Sequence, residues 1–358
     1  MRFPVIELFD WFKRQPHDLL DLASSGVDGP KTIGELGLNE DLPIGGDNHY
    51  GFRPLKEAIA HRYHVTAEQV VITPGASMAN FAVMAALLNS GDRIVVESPC
   101  YQPFIRLASA VTDRKAALME RRAGDTFHIT TPNDTLTECH PQLLIATNLH
   151  NPTGMNVPTE KWLALADQLA AWGGWLLLDE VFLPFLTGYP DNSLAGKHPR
   201  IVTVGSLTKA WGLSGLRVGW VIAPAHIARR VEQVMDYLHV VQPFMSEYIA
   251  HKILTNGTAD RLLAAARQRA KNNWIITQRT LSRIPDVDSI APDGGITVWV
   301  RFRDGRDAAP FCSKLLEERR TIVMPGFYFG EASCFRIGFG AEPDILQQGL
   351  QAIQDLIS

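Results

Sequence analysis

Apolar residues fall in two patterns along this chain: short unbroken runs closed by a small or polar residue, and longer stretches of helical period between them. Val70-Val-Ile-Thr73, Arg93-Ile-Val-Val-Glu97, Pro141-Gln-Leu-Leu-Ile-Ala-Thr147, Trp175-Leu-Leu-Leu-Asp179, Arg200-Ile-Val-Thr-Val204 and Val218-Gly-Trp-Val-Ile-Ala223 read as buried strands. The spacing over 3–12 predicts a short amphipathic helix, and 48–60 becomes helical with Arg53-Pro-Leu opening it. Residues 78–88 form an apolar helix that stops at Asn89-Ser-Gly91. After Ala223-Pro224 the period predicts helices over 227–241, 246–254 and 259–284. Strands over 294–302, 321–324 and 334–340 then mix with helices over 311–319 and 344–357, an α/β pattern to the end.

A chain of 358 residues with 46% hydrophobic residues can bury a large core, which predicts one large and one small domain. The expected division is an N-terminal segment over 1–45 packing with the small domain, a large domain over 46–250 and a small domain over 251–358. The net charge is −4 and the 34 Lys and Arg are dispersed, so no basic face points to nucleic acid or to a membrane. A small-molecule partner is expected. Neither a leader pattern nor a run of about 18 apolar residues stands out. The four cysteines, Cys100, Cys139, Cys312 and Cys334, lack disulfide or zinc spacing. Both features predict a cytoplasmic protein with reduced thiols.

The candidate chemistry centres on Ser206-Leu-Thr-Lys209, a lysine on a small-residue connection between two strands, with Arg217 eight positions on. A lysine acts as nucleophile or base only when unprotonated, and partial burial beside a cation lowers its pKa. Pro74-Gly75-Ala76-Ser77 joins a strand to a helix, where free amides and the helix dipole suit an anion, although Ser77 is also an ordinary N-cap. Tyr101 follows a Pro turn, either as core filling or as a stacking ring. Asn151-Pro-Thr-Gly154 is a turn of common type, and Asp179 ends a buried strand, where a carboxylate needs a cationic partner or a metal. Arg336 sits among apolar residues on a strand, either salt-bridged or aimed at a ligand carboxylate.

These motifs, taken in order, resemble the fold-type I, pyridoxal-phosphate-dependent aminotransferases of class I/II. The resemblance implies a mostly parallel seven-stranded sheet with helices on both faces, plus a smaller α/β domain. It implies pyridoxal 5′-phosphate as cofactor, with Gly75, Ala76, Ser77, Ser206 and Arg217 around the phosphate and Tyr101 on the ring. Asn151 would meet the phenolic oxygen, Asp179 the ring nitrogen, and Lys209 would form the Schiff base and act as base. Arg336, with Asn151 and backbone near Gly26, would bind the substrate. Phe182 stands where most of the family has tyrosine, and Gly46 where a tyrosine usually reaches the neighbouring subunit's phosphate; Tyr50 or His49 is the candidate replacement. The implied activity moves the α-amino group of an amino acid to a 2-oxo acid in a homodimer. A lyase or cyclase acting on a β-substituted amino acid is the alternative, since Asp21-Leu-Ala-Ser-Ser-Gly-Val27 and Thr32-Ile-Gly-Glu-Leu36 look similar to capreomycidine-synthase-like enzymes. A DNA-binding regulator is disfavoured, because about 50 residues precede the large-domain motifs and no basic helix lies among them. Phe12, Trp211 and Phe327 are expected at an apolar rim.

Overall fold

The structure is a computed structural model that describes residues 3–38, 41–122, 124 and 127–357. Of the N-terminal segment, 1, 2, 39 and 40 therefore lie outside the described residues. The first strand, β1 (Leu20–Leu22), is followed by seven that form one sheet: β2 (Val70–Thr73), β3 (Ile94–Ser98), β4 (Ala117–Glu120), β5 (Leu143–Thr147), β6 (Trp175–Asp179), β7 (Ile201–Ser206) and β8 (Gly219–Ile222). Their order is β2-β8-β7-β6-β5-β3-β4. β8 runs antiparallel to both of its neighbours and the remaining pairs are parallel, as expected of a mostly parallel seven-stranded sheet.

Side chains alternate across this sheet, which explains why its strands read as unbroken apolar runs. Ile145, Leu177 and Val204 pack on one face with Val83 and Met84 of the helix Ala76–Leu87. Leu144, Leu176 and Leu178 pack on the other with Trp162 and Leu165 of the helix Thr159–Ala170. A strand covered on both faces has no polar side, and each fully buried leucine contributes about 1.5–3 kcal/mol of apolar transfer energy.

The second sheet holds β9 (Val287–Ser289), β10 (Thr297–Phe302), β11 (Thr321–Pro325) and β12 (Cys334–Gly338), in the order β1-β11-β12-β10-β9. β1 joins it in parallel, Leu20 opposite Thr321 and Leu22 opposite Val323. The chain therefore enters beside its C-terminal part before building the larger sheet.

The sequence pattern overruns one helix. Residues 225–236 are helical, but 237–241, expected to continue the helix, are not, and Tyr237, Leu238, Val240 and Val241 are exposed. Period alone did not separate an exposed apolar stretch from a helix turn.

Candidate active site

Parallel strands of an open α/β sheet present their C-terminal ends at one edge, and the loops leaving them converge there. Asp179 closes β6, Ser206 closes β7, Asn151 lies four residues past β5, and Tyr101 three past β3. All four line one cavity of about 570 Å³ with Ala76, Ser77, Phe182, Lys209 and Arg217. Residues separated by up to 141 positions in sequence are thus gathered by topology alone.

Lys209 lies on the connection between β7 and β8, its Nζ 3.2 Å from Ser25 Oγ and 5.8 Å from the centre of the Phe182 ring. Burial, followed by the positive charges of Arg336 and Arg217, pulls its pKa down to about 8, while Asp179 pulls the other way. Burial dominates, and Arg336 outweighs the Arg217 named from sequence. Asp179 accepts from Asn80 Nδ2 at 2.7 Å and from the Val181 amide at 3.1 Å. It has no ion pair among the described residues, and burial pushes its carboxyl up despite those two donors. Sequence reasoning missed Asn80, which sits mid-helix and 99 residues away without any local signal.

The anion turn is built by Gly75, which caps the helix Ala76–Leu87 with φ of 85° and offers no side chain to its amides. Ser77 is therefore inside the first turn and is not the N-cap, so its hydroxyl faces the cavity without a capping duty. A Cβ on Gly75 would collide with Arg217 Nη2. Arg217 itself is held by donating to the carbonyls of Ser214, at 3.3 Å, and Pro74, at 3.2 Å.

Arg336 is buried on β12. It donates to Asn151 Oδ1 at 2.8 Å and to the Ala23 carbonyl at 2.6 Å, and its guanidinium lies 5.2 Å from the Phe329 ring centre. Its Nε has no hydrogen-bond partner among the described residues, and burial lowers its pKa to about 10. The segment running on to Gly26 passes Lys209 closely: the Val27 amide donates to the Lys209 carbonyl at 3.2 Å. Here backbone meets backbone. A Cβ on Gly338 would strike the Ser24 carbonyl, one on Gly340 the Gly26 carbonyl, and one on Gly29 would come within 2.6 Å of Gly212.

Behind Asn151 lies a buried chain of contacts that no motif announced. The Asn151 amide donates to Thr147 Oγ1 at 3.0 Å, and Thr147 donates through both its hydroxyl, at 2.6 Å, and its amide, at 2.7 Å, to Glu97 Oε1. Glu97 Oε2 accepts from Arg121 Nη1 at 2.8 Å, in an ion pair with no exposed side-chain surface.

Three expectations are corrected. Trp211 is 1% exposed and bonded through Nε1 to the Ala259 carbonyl, so it belongs to the core and not to a rim. Phe12 packs with the Met324 and Tyr328 cluster and Phe327 stacks on Tyr328, both away from the cavity. The apolar wall is built from other residues, among them Phe9 and Phe104, which pack edge-on against Tyr101 at 5.9 and 5.7 Å. At position 46 a side chain would run into the Phe244 ring, which accounts for glycine there. Tyr50 stacks on Arg229 and does not line the cavity of its own chain. Cys100 is a buried thiol whose pKa burial raises, which leaves it inert.

Comparison with known proteins adds four observations. The family model described as Aminotransferase class I and II matches residues 39–353. The chain is 29% identical to arginine–pyruvate transaminase AruH of Pseudomonas aeruginosa, over 91% of this chain and 86% of the relative. It is 30% identical to valine–pyruvate aminotransferase of Mycobacterium tuberculosis, over 95% and 92%. Among solved structures, the PLP-dependent cyclase OrfR superposes with a TM-score of 0.85 at 26% identity, covering 100% of this chain and 98% of that one.

Proposed function

Because the chain belongs to the class I and II aminotransferases and works on pyridoxal 5′-phosphate, moving an α-amino group to a 2-oxo acid, we propose that the cavity around Lys209 is the catalytic centre and assign its residues as follows. One observation carries the assignment: a single cavity joins Asp179, a buried carboxylate with no ion pair among the described residues, to Lys209, an amine whose pKa burial draws down to about 8.

The residues suit the cofactor. Asp179 would face its protonated ring nitrogen, which supplies the missing cation. The Ala76 and Ser77 amides, the hydroxyls of Ser77 and Ser206, and Arg217 would hold its phosphate, with Gly75 leaving room for the guanidinium. Tyr101 would lie on the ring and Asn151 Nδ2 at the phenolic oxygen. When bound, the cofactor supplies a conjugated ring that accepts the electron pair left at the substrate α-carbon.

The remaining work falls to side chains. Arg336 grips the substrate carboxylate through its planar fork, and its orientation is fixed by Asn151 and the Ala23 carbonyl. Neither Arg336 nor Gly26 lines the cavity itself; Ser25, next to Gly26, does, and its Oγ lies 3.2 Å from Lys209 Nζ. Lys209 in its unprotonated form removes the α-proton and later returns one; a pKa near 8 keeps a usable neutral fraction at physiological pH. Phe182 presents an apolar ring where a hydroxyl would add a further donor. Both named transaminase relatives use pyruvate, and we assign a small 2-oxo acid of this kind as acceptor. Cyclisation of a β-substituted amino acid is a second reading, favoured by the likeness to the cyclase and by Phe182.

The deciding experiment adds single L-amino acids to the purified holoprotein with no 2-oxo acid present. Transamination releases one equivalent of 2-oxo acid per site as the visible absorbance falls. Ammonia or a ring product with the visible band retained would instead establish the second reading, and a protein that takes up no pyridoxal phosphate would remove both.

A homodimer is part of this reading. Exposed Ile44, Tyr237, Leu238, Val240, Val241 and Met245 supply apolar surface for a second copy; light scattering should give twice the chain mass, and a monomer would refute it. The cytoplasm is the proposed location, with support from four free cysteines, three of them buried. No helix among the described residues is long and apolar enough to cross a membrane.

A further inference from the structure

The catalytic groups occupy only part of the cavity. Its outer part is walled by Phe3, Ile6 and Phe9 of the N-terminal segment and by Phe104, Arg106 and Leu107. The segment is seated on the helix Gln102–Thr112, the Leu8 amide donating to Gln102 Oε1 at 2.8 Å. Phe3 reaches Phe81 across the mouth, with ring centres 6.3 Å apart.

Charge in this wall is already spent. Arg106 is the one ionisable group in the outer part among the described lining residues, and its guanidinium is gripped by Glu7: Nε donates to Oε2 at 2.9 Å and Nη2 to Oε1. Asp179 is the single lining carboxylate, and its place is at the inner end. Among the described lining residues of this wall in one chain, a guanidinium or ammonium side chain would meet no free acid, and a carboxylate side chain no free cation. Either would give up part of its hydration there without a countercharge in return. An apolar side chain loses nothing on entry and gains contact with aromatic surface.

We propose that the donor amino acid carries an uncharged, apolar side chain, held between Phe9 and Phe104, with the Glu7–Arg106 pair cancelling the charge that would otherwise admit a basic or acidic substrate. The proposal rests on the aminotransferase reading and names its substrate class. Phe9 and Phe104 are then specificity-determining residues.

Carboxylates that lack the amino group separate binding from turnover. Calorimetry on the holoenzyme would compare 4-methylpentanoate with 5-guanidinopentanoate and glutarate. The first should bind at least about tenfold tighter than either, the discrimination a pocket of this kind provides. Phe9→Ala should weaken it by about tenfold, with the cofactor band as the check that the protein remains loaded. Release of 2-oxo acid from L-leucine, L-phenylalanine, L-arginine and L-aspartate should rank the same way. Equal or tighter binding of a charged analogue with an intact band overturns the substrate class and leaves the aminotransferase reading standing. An unchanged affinity in Phe9→Ala removes Phe9 from the subsite. No conversion with any amino acid overturns both.

Discussion

Lys209→Ala should lower turnover by about 10³-fold or more, because the group that moves the α-proton is lost, while the folded protein stays at least as stable. The second half of the expectation separates a catalytic residue from a structural one. A lysine whose pKa is drawn from 10.5 to about 8 is disfavoured in the fold wherever it would be charged in the unfolded chain. The unfolded state binds the extra proton between those values, so removing the lysine cannot cost stability through that term. Single-turnover kinetics beside thermal unfolding checks both halves, and a loss under tenfold would take proton transfer away from Lys209. The sign of the pH effect is also fixed: below pH about 8 the amine is increasingly protonated. In cofactor-free protein, its reaction with an amine-selective reagent should therefore rise through that pH and level off, well before ordinary lysines do.

Glu97→Ala is the most damaging substitution expected away from the cavity, at about 3–5 kcal/mol, since it leaves the fully buried Arg121 charge uncompensated. Replacing both partners by methionine should cost much less than either single change, because the penalty lies in the orphaned charge and not in the lost attraction. Urea unfolding of the three variants tests this, and a double variant as unstable as the sum of the singles would refute it. The same carboxylate also reaches the substrate site. It holds Thr147, Thr147 holds Asn151, and Asn151 orients Arg336. Thr147→Val should therefore raise KM for the amino acid by about tenfold with kcat less affected; a purely structural role would leave that split at unity.

Sequence made the central strands legible because both faces are covered, and most motif residues stand out because they close a strand, as Asp179 does, or lie two to four residues past one, as Gly75, Tyr101, Asn151 and Lys209 do; Arg336 is mid-strand and stands out as a charge among apolar neighbours. Of these only Gly75 sits where backbone geometry restricts the choice of residue, at φ of 85°. What stayed hidden depends on pairing across distance. Asn80 is one polar residue in an apolar helix, and its purpose appears only when β6 is placed beneath it. Glu97 and Arg121 are ordinary strand-end charges until β3 and β4 lie parallel and bury them together. β1 and β9 span three residues each, too few for any period to register. The misplaced rim followed from the same limit, since burial of Trp211 is decided by Trp220 and Tyr189, which pack on it from elsewhere in the chain.

The glycine contacts along residues 24–29 divide the cavity into a part that can drift and a part that cannot. On one side, backbone presses on backbone at Gly338, Gly340 and Gly212, and no side chain can be added without moving the segment that approaches Lys209. On the other, the N-terminal segment is held, among the described residues, by an amide hydrogen bond to the Gln102 side chain, an exposed ion pair and aromatic contacts, each of which depends on a side chain. Retargeting this catalyst in the laboratory would thus begin with libraries over positions 3–9 and leave 24–29 alone, and natural lineages that share the fixed wall would be expected to diverge in diet through the first helix.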